Sequence, residues 1–169
     1  ERSLAAIQTV YEKLGLDSRG RVLRGSTRYL ASLDAPEPSE ATAHLIATAL
    51  AMPAHEPLYV VAIGCPTNVA NALLLEPAIA ERIVVVWTSG YPSHAPHPNH
   101  SFNLEQDLLA SQWLLDSGVP HVYLPGFHVG AQLRLSLPEM ERWVKGRGAI
   151  GEHLFDLYTH NPLWDLLGT

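Results

Sequence analysis

LYVVAIGCPTNVANALLLE, residues 58–76, carries an apolar strand directly into Gly64-Cys-Pro-Thr-Asn68 and on into a helix-like segment. Leu58 to Ile63 is a near-continuous apolar run rich in Val, the composition of a strand covered on both faces in a parallel sheet. Gly64 and Pro66 end it. Thr67 or Asn68 can then cap a helix whose Val69, Ala72, Leu73 and Leu75 fall largely on one side until Pro77 interrupts. In an α/β protein the loops at the C-terminal ends of strands line a crevice on a rigid scaffold, which makes this turn a candidate ligand site. The same pattern also fits one βα turn among several.

Working outward, Ile83 to Trp87 (IVVVW) is a second apolar strand, separated from the first by one short helix. The two form a βαβ unit, whose crossover is almost always right-handed and whose strands are parallel. Thr88 to Ser101, crowded with Gly, Pro, Ser and His, is a loop at the C-terminal end of that second strand. Asn103 to Asp116 reads as a helix ending before Gly118, and His121 to Leu124 as the next strand. On the N-terminal side, Ser39 is a candidate N-cap for a helix to about Met52, stopped by Pro53 and Pro57. Leu4, Ile7, Val10, Tyr11 and Leu14 keep helical spacing before Gly15, and Arg21 to Arg24 is a short strand candidate. Ser136-Leu-Pro-Glu139 is a capping-box pattern opening a helix through about Lys145, and Gly151 to Tyr158 supports another. No internal repeat, low-complexity tract or linker interrupts the chain, so a single domain is expected.

Composition narrows the function classes. The chain has 169 residues and a net charge of −6, with its eleven basic residues scattered apart from a small Arg group between Arg19 and Arg28. That is no electrostatic footprint for nucleic acid. No apolar run approaches the ~20 residues that cross a bilayer, and the N-terminal segment reads as an amphipathic helix rather than a signal peptide. A single cysteine, Cys65, excludes an internal disulfide and fits a reducing compartment. A soluble, cytoplasmic protein is expected, with no membrane partner.

Several chemistries can be weighed residue by residue. Nine His residues invite a zinc reading, with His94, His97, His100 and His128 in or after loops at strand ends. They are separated by Pro and show no HxxxH, HExxH or CxxC spacing, which favours solvated loop imidazoles. Cys65 lies at a strand end before a possible helix N-terminus, yet no motif supplies a base, so a small filler in a tight turn is the preferred reading. No P-loop, GxGxxG or nucleophile elbow occurs. Ser101-Phe-Asn-Leu-Glu-Gln-Asp107 combines an amide and two acids where a helix begins. Asn103 offers both a donor and an acceptor, the complement of a sugar diol, though it also fits a plain N-cap, and Asp107 can satisfy backbone N–H groups or the helix dipole.

Taken together, in this order, these segments resemble the inosine-uridine preferring nucleoside hydrolase family. Ile63-Gly-Cys-Pro-Thr-Asn-Val-Ala70 is similar to the family's Gly-Pro-Leu-Thr-Asn turn, with Cys65 and Pro66 in place of Pro-Leu. Arg24-Gly-Ser-Thr-Arg-Tyr-Leu30 is similar to its Gly-Ala-x-x-Pro-Leu segment, and Ser39-Glu-Ala41 to its Ser-Glu-Ala helix start. Phe102-Asn103 with Asp107, followed by Ser117-Gly-Val-Pro120 and a strand, is similar to its Glu-Phe-Asn, Asp and Gly-x-Pro pattern.

The resemblance implies an α/β fold: an open, mostly parallel, Rossmann-like sheet with helices on both faces, present here in part. It implies hydrolysis of the N-glycosidic bond of ribonucleosides by a Ca2+-activated water, and homo-oligomers in the intact protein. Thr67 would lend its backbone carbonyl to Ca2+. Asn103 would hold sugar hydroxyls, Asn99 or His100 would substitute for a missing acid, and Trp87 takes the place of a Met that packs against the sugar. The family's Glu before Phe-Asn is Ser101 here. The family's Asp-x-Asp-x-x-x-Asp-Asp strand, source of the catalytic base and most Ca2+ ligands, has no counterpart, so residues 1–169 read as one incomplete domain without a catalytic residue. Trp164-Asp165 is similar to a late Trp-Asp pair whose Asp binds Ca2+, and a capping or surface Asp fits as well. Two other readings stand beside this one. The first is a degenerate homologue that binds a small ligand or a protein. The second, a receiver-like regulatory domain, would need a strand-end Asp that the strong strands lack.

Overall fold

The computed structural model describes residues 2–53 and 55–160, which divide into two compact units. The larger, Arg24–Leu133, contains a three-stranded parallel sheet: β1 (Leu58–Ala62), β2 (Ile83–Thr88) and β3 (His121–Leu124), in spatial order β1-β2-β3. Leu58 pairs with Ile83 and Ala62 with Trp87, while Val85 pairs with His121 and Thr88 with Leu124. The three strands form because each is a short Val-rich or aromatic-rich run bounded by Pro or Gly.

Alternation along the strands decides what is buried. On β2, Ile83, Val85 and Trp87 point to one face and lie in the core with Leu58, Val60 and Ala62 of β1 packed alongside. The helices α2 (Glu40–Ala51), α3 (Thr67–Leu75) and α5 (Leu108–Asp116) contribute Ala49, Val69, Ala72, Leu73 and Leu114 to the same cluster, with Ile79 from the 3-10 turn Pro77–Glu81. Full burial of each Val, Leu or Ile contributes about 1.5–3 kcal/mol before the entropy of ordering is subtracted.

The other face differs from the expectation drawn from residues 58–63. Tyr59, Val61 and Ile63 are 65%, 67% and 78% exposed, and Val122 and Leu124 are exposed as well. Within this unit the helices that build the core stand on one face of the sheet, so an edge strand with an unbroken apolar sequence is covered on one side only.

Helix boundaries follow the caps. Ser39 closes a capping box with Thr42, its hydroxyl accepting from the Thr42 N–H while the Thr42 hydroxyl accepts from the Ser39 N–H. The helix expected over Asn103 to Asp116 is broken into α4 (Phe102–Glu105) and α5, because Ser101 caps the first and Asp107 caps the second. α3 begins at Thr67 with Pro66 as N-cap and no side-chain cap bond, so neither Thr67 nor Asn68 plays the capping part. Residues 21–24 form no strand.

The smaller unit holds α1 (Arg2–Lys13), α6 (Leu137–Trp143) and α7 (Gly148–Thr159), with α1 against α7. The Glu139 carboxylate accepts from both the hydroxyl and the N–H of Ser136, which holds its pKa below the usual value. The Tyr158 hydroxyl donates to Leu135 O at 2.7 Å. Among the described residues no helix is long and apolar enough to cross a membrane.

Candidate functional site

The residues singled out from sequence gather at the C-terminal ends of β1 and β2. The turn leaving β1, residues 63–67, is fixed by side chains from three other elements. Asn103 on α4 donates its amide N–H groups to Ile63 O at 3.2 Å and to Thr88 O at 2.9 Å, tying the ends of the two strands together. The indole N–H of Trp87 donates to Gly64 O at 2.8 Å. The Thr67 hydroxyl donates to Asp107 Oδ2 at 2.5 Å. With both amide hydrogens directed at carbonyls, the Asn103 oxygen is left without a hydrogen bond among the described residues.

Asp107 is 3% exposed and serves three donors. Oδ1 accepts from the Ala110 N–H as the N-cap of α5, whereas Oδ2 accepts from the Leu30 N–H at 2.9 Å and from Thr67. The sequence expectation that Asp107 satisfies backbone N–H groups is therefore met, and the Thr67 bond is an addition that local pattern could not reveal.

The first turn of α3 is equally committed. Asn68 Oδ1 accepts from the Ser26 N–H at 2.7 Å, and Asn71 accepts from the Glu37 N–H while donating to Ser26 Oγ. These bonds hold residues 24–39, which lack regular structure up to the cap of α2, against the helix. Gly25 belongs to this approach: a Cβ there would lie 2.6 Å from Asn68 Nδ2. Asn71 was not anticipated as a site-supporting residue. The available clue was an amide on a helix otherwise built of Val, Ala and Leu.

Trp87 is 0% exposed, so it presents no face to solvent or to a ligand from outside. It alternates with Val86 on β2 and so points to the helix-covered side with Ile83 and Val85, where its ring lies 6.0 Å from that of His121 and 6.2 Å from that of Tyr123. Its link to the site is the bond to Gly64. His121 Nε2 is buried without a partner among the described residues, and burial pushes the imidazole pKa down.

The loop after β2 closes on itself. Ser101 is buried, its hydroxyl 2.9 Å from Ser89 Oγ and accepting from the Gly90 N–H at 2.9 Å. Asn99 Oδ1 accepts from the Tyr91 N–H and its Nδ2 donates to the Tyr123 hydroxyl, both at 3.1 Å. Gly90 sits at φ +61 with the Asn99 side chain and Tyr123 hydroxyl where a Cβ would project, so the close approach requires glycine. Tyr91 stacks on Phe127 at 4.1 Å. The Asn99 amide is thus engaged on both sides, by its own loop at Tyr91 and by β3 at Tyr123. His100 pairs with Glu105. Among the described residues no three His, Cys, Asp or Glu side chains gather as a metal site. Trp164-Asp165 lies outside the described residues.

A parallel α/β sheet with polar side chains converging on the strand C-termini defines a protein of the open α/β class, in which ligands bind at that edge. The chain belongs to the inosine-uridine preferring nucleoside hydrolase family, whose model matches residues 3–166. It is similar to the crystal structure of an inosine-uridine preferring nucleoside hydrolase from Bacillus anthracis, with 27% identity and a TM-score of 0.58. That similarity covers 79% of this chain and 47% of the other, so the chain spans about half the length of that relative. No curated protein matches.

Proposed function

We propose that this chain is the sugar-side part of a nucleoside hydrolase, which cleaves the N-glycosidic bond of ribonucleosides to base and ribose in nucleoside salvage in the cytoplasm. The observation that supports this most is Asn103, held across the ends of β1 and β2 by both amide N–H groups with its oxygen left to accept from a ribose hydroxyl. Asn99 and Thr67 would assist it, and Trp87 would act through its bond to Gly64. The intact protein is expected to be a homo-oligomer.

The reading includes Ca2+, which takes six to eight oxygen ligands in such sites. Thr67 would supply one carbonyl. The described residues by themselves do not fit a calcium shell, since no cluster of acids stands near that carbonyl. No chemical step is therefore assigned to residues of this chain. Their part is to bind and orient the sugar, and the chain alone is expected to be inactive, forming with further acidic ligands one complete domain.

One observation favours the binding-module alternative: Ser101, where the family has Glu, is buried and bonded to Ser89 and Gly90, so it offers no contact to a sugar. Isothermal titration of the full-length protein with Ca2+, together with release of free base from inosine and uridine, separates the two. Binding and turnover support the hydrolase. A full-length protein that carries the acidic strand yet shows neither would overturn it.

A further inference from the structure

Asp107 divides its carboxylate between two tasks. Capping α5 needs only Oδ1, which accepts from the Ala110 N–H at 3.1 Å. Oδ2 faces away from the cap toward two segments distant in sequence, the Leu30 N–H and the Thr67 hydroxyl. A buried carboxylate left with a free oxygen would be costly, so the second oxygen must be served, and here it is served by the turn after β1 and by the strap 24–39. Asp107 also follows Asn103 by one helical turn, across the α4 to α5 break. Asn103 holds the beginning of the 63–67 turn and Asp107 holds its end.

We propose that Asp107 is a positioning residue that locks Thr67 to Asn103, so that the turn after β1 and the sugar-side amide keep one fixed separation. The inference rests on the sugar-site reading given above. Because hydrogen bonds to an ionised acceptor are about twice as strong as neutral ones, the carboxylate is a stronger link than the neutral bonds that Asn103 and Trp87 make to the same turn. Its effect on chemistry is indirect: an error of ~1 Å between groups that must grip one substrate is enough to cost orders of magnitude in rate. The conserved volume of Thr67→Val makes it the cleanest probe, since it deletes the hydroxyl and leaves the α5 cap untouched.

The test uses the full-length protein and four forms: unaltered, Thr67→Val, Thr67→Ser and Asp107→Asn. Two readouts are followed, the side-chain amide resonances of Asn103 by NMR and the affinity for inosine by titration. Thr67→Val is expected to shift the Asn103 resonances and weaken inosine by about tenfold, the scale of one lost bond to a charged group. Thr67→Ser restores both. Asp107→Asn reproduces the Val phenotype with a lower Tm, and if it fails to fold the Val and Ser pair decides alone. Loss of Tm in Thr67→Val with Asn103 resonances and inosine affinity unchanged would overturn the proposal, since a purely structural bond behaves that way. If the unaltered protein binds no inosine, the sugar-site reading fails instead, and the Asn103 resonances alone decide whether the lock exists.

Discussion

The indole N–H of Trp87 donates to Gly64 O across 2.8 Å, joining the middle strand of the sheet to the turn that leaves its neighbour. Trp87→Phe keeps an aromatic ring in the core but removes the donor and part of the volume. Unfolding in urea is expected to show a loss of about 2–3 kcal/mol, from the cavity and the orphaned carbonyl together. A midpoint unchanged within error would mean that the bond contributes nothing to holding the turn.

Gly25→Ala tests the close approach of the strap to α3. The added Cβ meets the Asn68 amide at 2.6 Å and 2.9 Å, so either the backbone retreats or Asn68 releases the Ser26 N–H. A destabilisation of about 1–3 kcal/mol is expected. Pairing it with Asn68→Ala should recover part of that loss, since the obstructing side chain is then gone, and strictly additive effects would contradict the contact.

His121 provides a pH prediction. Burial lowers its pKa from the ordinary 6.5, so the unfolded chain binds this proton more readily than the folded one. The stability contributed by the neutral ring is complete above the unfolded pKa of about 6.5 and is lost as pH falls through that value toward the folded pKa. Tm measured from pH 7.5 down to 5.5 should therefore decline, and His121→Phe, which preserves the stack on Trp87, should flatten the decline. An equal slope in both proteins would assign the titration to other groups.

Asn103→Asp places carboxylate oxygens opposite Ile63 O and Thr88 O, where the amide had donated. A loss of about 1–3 kcal/mol is expected at neutral pH, partly regained near pH 4 as the carboxyl gains a donor hydrogen. Denaturation curves at the two pH values, referred to the unaltered protein, measure the regain. A loss that does not diminish on acidification would exclude acceptor–acceptor repulsion as its origin.

The strands and their parallel pairing were legible because β1, β2 and β3 are short apolar runs whose neighbours cannot continue them. The N-cap at Ser39 and the capping box at Ser136 were legible because each is a local pattern within four residues, whereas the box that Thr42 closes with Ser39 was not read. What escaped the sequence was set by partners far along the chain. Thr67 and Asn68 look like caps until Asp107 and Ser26 claim their side chains, and the broken helix at Gln106 follows from Asp107 turning inward to Leu30. Trp87 occupied a position that suggested a sugar contact, but strand alternation sends it into the core. The Arg21 to Arg24 strand failed because a charged four-residue run has little apolar surface to bury against a sheet. Asn103 and Thr67 were singled out by residue type, while the bonds that orient them were not, since no local spacing encodes a contact across 40 residues.

The anchors of the 63–67 turn come from 23 and 40 residues away, in β2, α4 and the start of α5. A turn held in this way has no shape of its own early in folding, because each anchor must first pay the entropy of closing a long loop. The turn is therefore among the last features to be made, and its geometry reports on the completeness of everything around it. Any lesion that frays β2 or α5 will disturb this turn first, before the bulk of the helices unfolds.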